Sequence, residues 1–174
     1  MRWLLALLCL SIAAPATAMT TSQVGLLGDL GAGGTLDAGS PVRFDPGWTA
    51  GGAIWWGRYD DVYALGRFTS VGITLRQAWH RGGLETIPAL EIRRGNDVLV
   101  VGYHAFLSVG PVLRAGAVGV EALLGGGVKW RFRPKLGLML RLGAGAARVD
   151  GQWSGRAIVR LAFEAATPLR RRAE

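Results

Sequence analysis

The chain is poor in the residues that most often carry chemistry. Among 174 residues there are one cysteine, two histidines and two lysines. Cys9 lies in the N-terminal apolar run, so the remainder can form no disulfide, no thiolate metal site and no cysteine nucleophile. His80 and His104 are far apart and the acids are scattered, so no ligand spacing points to a metal. Glycines 125–127, 143 and 145 precede neither a helix nor a Gly-Lys-Ser/Thr sequence, which excludes a phosphate loop and leaves no cofactor motif. Long apolar runs are missing too. The best candidate past residue 18, residues 136–147, is broken by Arg141, whereas a membrane helix needs about 20 apolar residues.

What is present begins at the N-terminus. Met1-Arg2 is basic, residues 3–10 are apolar, and Ala16-Thr17-Ala18 closes a stretch of small residues. This is the three-part form of a secretory signal, read as residues 1–18 with cleavage after Ala18 and export through the Sec route. Cys9 sits inside the apolar run and not at its end, which argues against a lipid anchor. The formal charge of +8 becomes +7 once Arg2 is removed. Of the 20 basic residues, 18 are arginine, spread along alternating segments with no basic recognition helix. A nucleic-acid partner is therefore not expected; anionic lipid, lipopolysaccharide or peptidoglycan is.

The strongest pattern is strict alternation over residues 118–163. Val118, Val120, Ala122, Leu124, Val128, Trp130 and Phe132 face one way; Glu121, Leu123, Lys129 and Arg131 face the other. The pattern resumes with Leu136, Leu138, Leu140 and Leu142 against Met139 and Arg141, and again with Ala157, Val159, Leu161 and Phe163 against Arg156, Arg160 and Glu164. Period two means extended strands with two unlike faces. Charge and glycine occupy the face where a soluble barrel would carry its core, which suggests a barrel with its greasy side outward.

Five further segments read as strands: 23–33, 47–57, 62–76, 86–94 and 98–108. In the third, Ala64, Gly66 and Phe68 disagree in phase with Val71, Ile73 and Leu75, and a bulge near Thr69-Ser70 would reconcile them. Turns are expected at 58–61, 95–97 and 133–135, longer loops at 34–46, 77–85 and 149–155, and a moderate connection at 110–116. Short turns on one side and long loops on the other are the habit of bacterial outer-membrane barrels. Aromatics cluster near strand ends. Trp48, Trp55, Trp56, Tyr59, Tyr63, Trp130, Phe132 and Trp153 are candidates for two girdles at the membrane interfaces.

On these features the mature chain resembles the small eight-stranded outer-membrane barrels, the OmpA-like and OmpX-like superfamily. The resemblance covers residues 23–167. It implies an all-β, single antiparallel up-and-down transmembrane barrel of eight strands, spanning 19–167 after a cleaved signal peptide. It also implies a monomer placed in the outer membrane of a Gram-negative bacterium by the outer-membrane assembly machinery. Members usually end on an aromatic that this machinery reads. Here the last aromatic is Phe163, and a basic tail, residues 168–174 with Arg170-Arg171-Arg172, follows.

An eight-stranded barrel is filled by its own side chains. The inward set is expected to be Asp29, Arg67, Glu91, Arg93, His104, Glu121, Lys129, Arg131, Arg141, Arg156, Arg160 and Glu164. Buried charges must pair, so Glu121 and Glu164 should bridge the arginines of the last three strands. A salt-bridged filling is favoured over a narrow porin-like pore. The mid-strand glycines would bend the sheet or make room for arginines. The function that follows is non-enzymatic: a structural, adhesive or envelope-maintenance role in the cell envelope. Two alternatives stand beside it. One is a lipid A-modifying enzyme, a deacylase or acyltransferase, which needs histidine with serine and an acid. His80 could draw on Asp37, Ser40, Asp45, Glu85 or Ser154, whereas His104 is followed by Ala105-Phe106-Leu107-Ser108 and not by the deacylases' His-x-Ser-Asn. The other is a soluble exported barrel holding a small apolar ligand, which would require the apolar face to point inward.

Overall fold

The computed structural model of the protein describes residues 21–37, 43–60, 66–98, 100–133 and 135–168. These form eight strands and no helix: β1 (Thr21–Asp37), β2 (Arg43–Tyr59), β3 (Gly66–His80), β4 (Gly83–Val98), β5 (Val101–Arg114), β6 (Ala117–Arg133), β7 (Leu136–Val149) and β8 (Gln152–Pro168). Each pairs antiparallel with the next, and β8 pairs with β1, closing the barrel. Register partners run from Gln23 through Gly57, Ser70, Arg93, Phe106, Gly125, Gly143 and Ile158 back to β1 at Gly33. The return lies ten residues from the start. That stagger tilts the strands and leaves an interior just wide enough for side chains.

Alternation decides sidedness. Along β5, Gly102, His104, Phe106, Ser108, Gly110 and Val112 are buried, while Val101, Tyr103, Ala105, Leu107 and Val109 are exposed. Leu26, Leu30, Ile54, Ile73, Leu90, Leu124, Leu142 and Leu161 are exposed on the outer face, and the charged residues lie within. Large luminal side chains are matched by glycines on adjacent strands. A Cβ on Gly72 or Gly25 would collide with Trp55, one on Gly125 with Phe106, one on Gly127 or Gly95 with His104, and one on Gly31 with Arg160. Glycines 125, 127 and 143 thus make room mainly for two rings, not for arginines. Large against small across neighbouring strands is how a narrow barrel is filled.

Several boundaries differ from the sequence reading. β3 has no bulge at Thr69-Ser70; its register with β2 and β4 is continuous. Phe68 simply points inward with Ser70, and Arg67 points out, so Arg67 leaves the luminal set. The irregularity falls instead between Arg131 and Arg133, where β6 meets β7. Residues 95–97 are not a turn. Gly95, Asn96 and Asp97 continue β4, because Asp97 finds cations in the lumen, and the chain reverses between Val98 and Val101.

The expected long loops are strands joined by tight turns. β3 and β4 are joined by Arg81-Gly82, β5 and β6 by Ala115-Gly116, and β7 and β8 by Asp150-Gly151. Asp150 (φ 49°) and Gly151 (φ 77°) are both left-handed, the two-residue hairpin that Asp-Gly favours. Residues 34–37 and 43–46 belong to β1 and β2. The signal segment 1–18, Ser40, Tyr63, Ala64 and the tail 169–174 lie outside the described residues.

Candidate functional site, a lumen filled with paired charge

Two groups of ion pairs and one isolated pair occupy the interior. The first runs from mid-barrel to the rim where β1 begins and β8 ends. Arg141 Nη2 lies 2.8 Å from Glu91 Oε2. Glu91 reaches Arg93 at 3.7 Å, and Arg93 Nη1 reaches Glu164 at 3.0 Å. Glu164 also takes Lys129 Nζ at 3.0 Å, and Lys129 lies 2.6 Å from Asp97. Asp97 then meets Arg131 at 2.5 Å and accepts the Tyr59 hydroxyl at 3.2 Å. Arg93 Nε also donates to Ser70 Oγ at 3.1 Å. These residues come from β2, β3, β4, β6, β7 and β8, so the network ties non-adjacent walls together.

The second group sits toward the opposite rim. Arg76 pairs with Glu121, and Arg156 lies 3.7 Å from Glu121 and 3.0 Å from Glu85. His80 closes the group, with Nε2 3.2 Å from Glu85 and Nδ1 3.2 Å from Asp45. Between the two groups stand the Arg160–Asp29 pair at 3.0 Å and an apolar cluster of Phe106, Leu123 and Ile158. Cations also lie over rings: Arg141 over Phe106 at 4.2 Å and Arg93 over Trp55 at 4.8 Å.

Every residue of the expected luminal network, Glu91, Arg93, Glu121, Lys129, Arg131, Arg141, Arg156, Arg160 and Glu164, faces the interior and contacts an opposite charge. The pairing is wider than expected. Glu121 meets Arg156 of β8, whereas Glu164 takes a lysine, Lys129, in place of an arginine of the last three strands; each acid also reaches across the barrel, to Arg76 and to Arg93. Arg141 and Arg160 instead use Glu91 and Asp29. Sequence reasoning missed Arg76, Glu85 and Asp97, having put two of them in a loop and a turn and assigned Arg76 no role. The signal was available: Arg76 and Thr74 continue the phase of Ser70, and Glu85 continues that of Glu91 and Arg93. The ion-paired cations are Arg76, Arg93, Lys129, Arg131, Arg141, Arg156 and Arg160; their acids are Asp29, Glu85, Glu91, Asp97, Glu121 and Glu164, so the lumen is close to neutral. An unpaired charge there would cost several kcal/mol, roughly, which is why acids and bases alternate through the filling.

The aromatics divide between the two faces. Trp55 (3% exposed) and Tyr59 (1%) point into the lumen, where Trp55 packs with Leu27 and Met139 and Tyr59 stacks on Phe68. They are luminal packing, not interface residues. Trp56, Tyr103, Trp130 and Phe132 are exposed near one end, and Phe44, Trp48, Trp79 and Trp153 near the other. Phe132 also meets the outward Phe163, ring centres 6.0 Å apart.

For hydrolytic chemistry the key geometry is at His80. Both ring nitrogens face carboxylates, and among the described residues no hydroxyl is hydrogen-bonded to either. Asp37 and Ser154 pair with each other across β1 and β8 at the rim. The described residues hold no grouping of histidine, cysteine and carboxylates fit for a metal.

No protein-family model and no curated protein matches this sequence. Solved structures do. Neisserial surface protein A aligns with 82% of this chain and 96% of its own, at 10% identity and a TM-score of 0.50. The fold is that of the small eight-stranded outer-membrane β-barrels. Looser alignments, at TM-scores of 0.36 and 0.39, are with a designed transmembrane β-barrel at 15% identity and with Ail of Yersinia pestis in a phospholipid nanodisc at 9%. They cover 83% and 84% of this chain and 95% and 99% of theirs. In a transmembrane barrel of this kind the outer leucines face lipid and the charged face is the filling.

Proposed function

We propose that the chain is a non-enzymatic integral outer-membrane protein of a Gram-negative bacterium, exported by the Sec route, with a role in maintaining the envelope and a closed, salt-bridged lumen. The observation that carries this reading is the sidedness of the sheet: large apolar side chains outside, paired charges inside. In water such an outer wall would be a vast exposed apolar surface; in lipid it is the stable arrangement. Trp56, Trp130 and Phe132 at one end and Trp48 and Trp153 at the other fit the two aromatic belts. β1 begins and β8 ends at the rim shared by the connections after β2, β4 and β6, and this rim is assigned to the periplasm.

Among the structural, adhesive and maintenance roles, adhesion is the least supported. Three of the four connections at the outward rim are two-residue turns, which offer little surface to a macromolecule. A lipid A-modifying enzyme is disfavoured because Glu85 and Asp45 take the places around His80 where a nucleophile would stand. A soluble barrel binding an apolar ligand is disfavoured because the interior is charged. The partners are outer-membrane lipid and lipopolysaccharide, and the assembly machinery that inserts the strands; a nucleic acid is not among them, and the barrel acts as a monomer.

Fractionation with heat-modifiable gel migration tests the membrane reading: membrane recovery and a shift on boiling are expected, and a soluble protein after osmotic shock would sink it. Planar-bilayer recording tests the closed lumen, with no single-channel events expected. An unchanged lipid A mass on expression is expected as well; a change abolished by His80→Ala would restore the enzyme.

A further inference from the structure

The outer wall is not uniformly padded. Along β1 the outward positions run Leu30, Ala32, Gly34, Leu36; the Phe44 ring covers Gly34, and Ala32 is left as the gap. Their partners widen the gap. Ala32 lies between Trp48 on β2 and Val159 on β8, and Gly34 between Pro46 and Ala157. Trp48 is itself paired with Trp79 on β3. The result is a groove of about 670 Å³, walled by Phe44, Trp48 and Trp79 and floored by alanine and glycine backbone. That volume is in the range of pockets that hold small ligands, about 300–1,000 Å³. Much of the rest of the outer face is covered by leucine, isoleucine and valine.

The groove climbs to the rim opposite the chain ends and meets Arg81 there. The Arg81 amide lies 3.4 Å from Asp45 Oδ1, but its exposed guanidinium has no acidic or hydrogen-bonding partner among the described residues. The neighbouring Arg114 is engaged with the carbonyl of Gly82, and His80 is held between Asp45 and Glu85. Arg81 is therefore the cation in the groove's own lining that is left for a ligand. An apolar trough ending at an unpaired guanidinium matches an amphiphile with an acyl chain below and a phosphate above, and arginine binds phosphate oxygens through two parallel N–H bonds.

We propose that this groove binds one molecule of lipid A, an acyl chain lying over Ala32 and Ala157 between Trp48 and Val159, beside the Phe44 ring, and a phosphate on Arg81. The proposal rests on the outer-membrane reading, which turns this rim toward the outer leaflet, where the phosphorylated glycolipid resides. Aromatic walls add specificity, because flat rings grip an extended chain along its length while the small side chains of Ala32 and Ala157 leave room for it between them. No covalent step is involved; the site is a lipid clamp.

The test uses the full mature chain folded in detergent, its folding confirmed by heat-modifiable migration, with bound lipid counted by native mass spectrometry. Lipid A, lipid A stripped of its phosphates, and phosphatidylglycerol are titrated separately. One lipid A per chain is expected. Binding should weaken about tenfold or more in Arg81→Gln, and to a similar degree for the phosphate-free glycolipid. Ala157→Phe, which fills the trough from the lipid side without touching the lumen, should weaken all three ligands while leaving the gel shift intact. Unchanged lipid A binding in Arg81→Gln or in Ala157→Phe overturns the proposal, as does equal affinity for phosphatidylglycerol. A folded barrel that binds no lipid A overturns the groove alone. A chain that never shows a heat-modifiable form overturns the membrane reading and the groove with it.

Discussion

Arg141 and Leu142 are neighbours on β7, and they separate the barrel's two walls. Arg141 is fully buried, paired with Glu91 and lying over Phe106, while Leu142 is 53% exposed on the outside. The inner wall is specific. Each of its charged groups needs a partner on another strand, so each position depends on several others. The outer wall is tolerant, since an apolar side chain there meets lipid and not a particular residue. The difference teaches that stability and uniqueness come from different faces of one sheet: lipid exposure holds the strands in the membrane, and the ion-pair filling fixes how the walls meet.

The largest expected effect comes from leaving a charge alone inside. Arg141→Met should lower stability by about 3–5 kcal/mol by leaving Glu91 with only its 3.7 Å contact to Arg93, read as a shift in the urea midpoint of the barrel unfolding from vesicles. The double change Arg141→Met with Glu91→Met should recover most of that loss; if the single and the double variants unfold alike, the pairing account is wrong. Next comes the converse on the other wall. Leu142→Arg, placed near mid-span, should destabilise by about 2–4 kcal/mol in vesicles. That penalty should shrink for the chain in detergent micelles, and an equal one there would break the contrast between the walls.

A smaller effect follows from filling. Gly125→Val on the inner wall drives a side chain into Phe106 and should cost about 1–3 kcal/mol, seen as a lower melting temperature in micelles. Gly28→Val, a glycine on the outer wall with open space around it, should be near neutral by the same measurement. The smallest is at a turn. Gly151→Ala, at φ 77°, should cost about 1 kcal/mol and mainly speed unfolding, measured by stopped-flow fluorescence.

The parts legible in the sequence were those where one rule acted alone. Over residues 118–163 little but the turns and the irregularity at Arg131–Arg133 disturbs period two, so β6, β7 and β8 and their charged face could be read directly. Trouble came where two signals competed. Asp97 looks like a turn residue after Gly95 and Asn96, yet its carboxylate meets Lys129 and Arg131 across the lumen, and those contacts outweigh turn propensity. Trp55 and Trp56 are adjacent aromatics near a strand end, and residue type gives both the same reading; phase separates them, one to the lumen and one to the outside. The Asp150-Gly151 hairpin was a missed local signal, since that dipeptide between alternating segments marks a two-residue turn.

Alternation, glycine content and the distribution of arginine determined by themselves that this chain makes strands with one apolar and one charged face, because side-chain direction in a strand depends only on parity. Which charges meet was decided by closure. The ten-residue stagger of the barrel brings Arg93 of β4 to Glu164 of β8 and Arg76 of β3 to Glu121 of β6, pairs that no spacing along the chain specifies. The groove beneath Arg81 has the same origin: Ala32, Trp48, Trp79 and Ala157 sit on four strands, and only their register places bulk beside its absence.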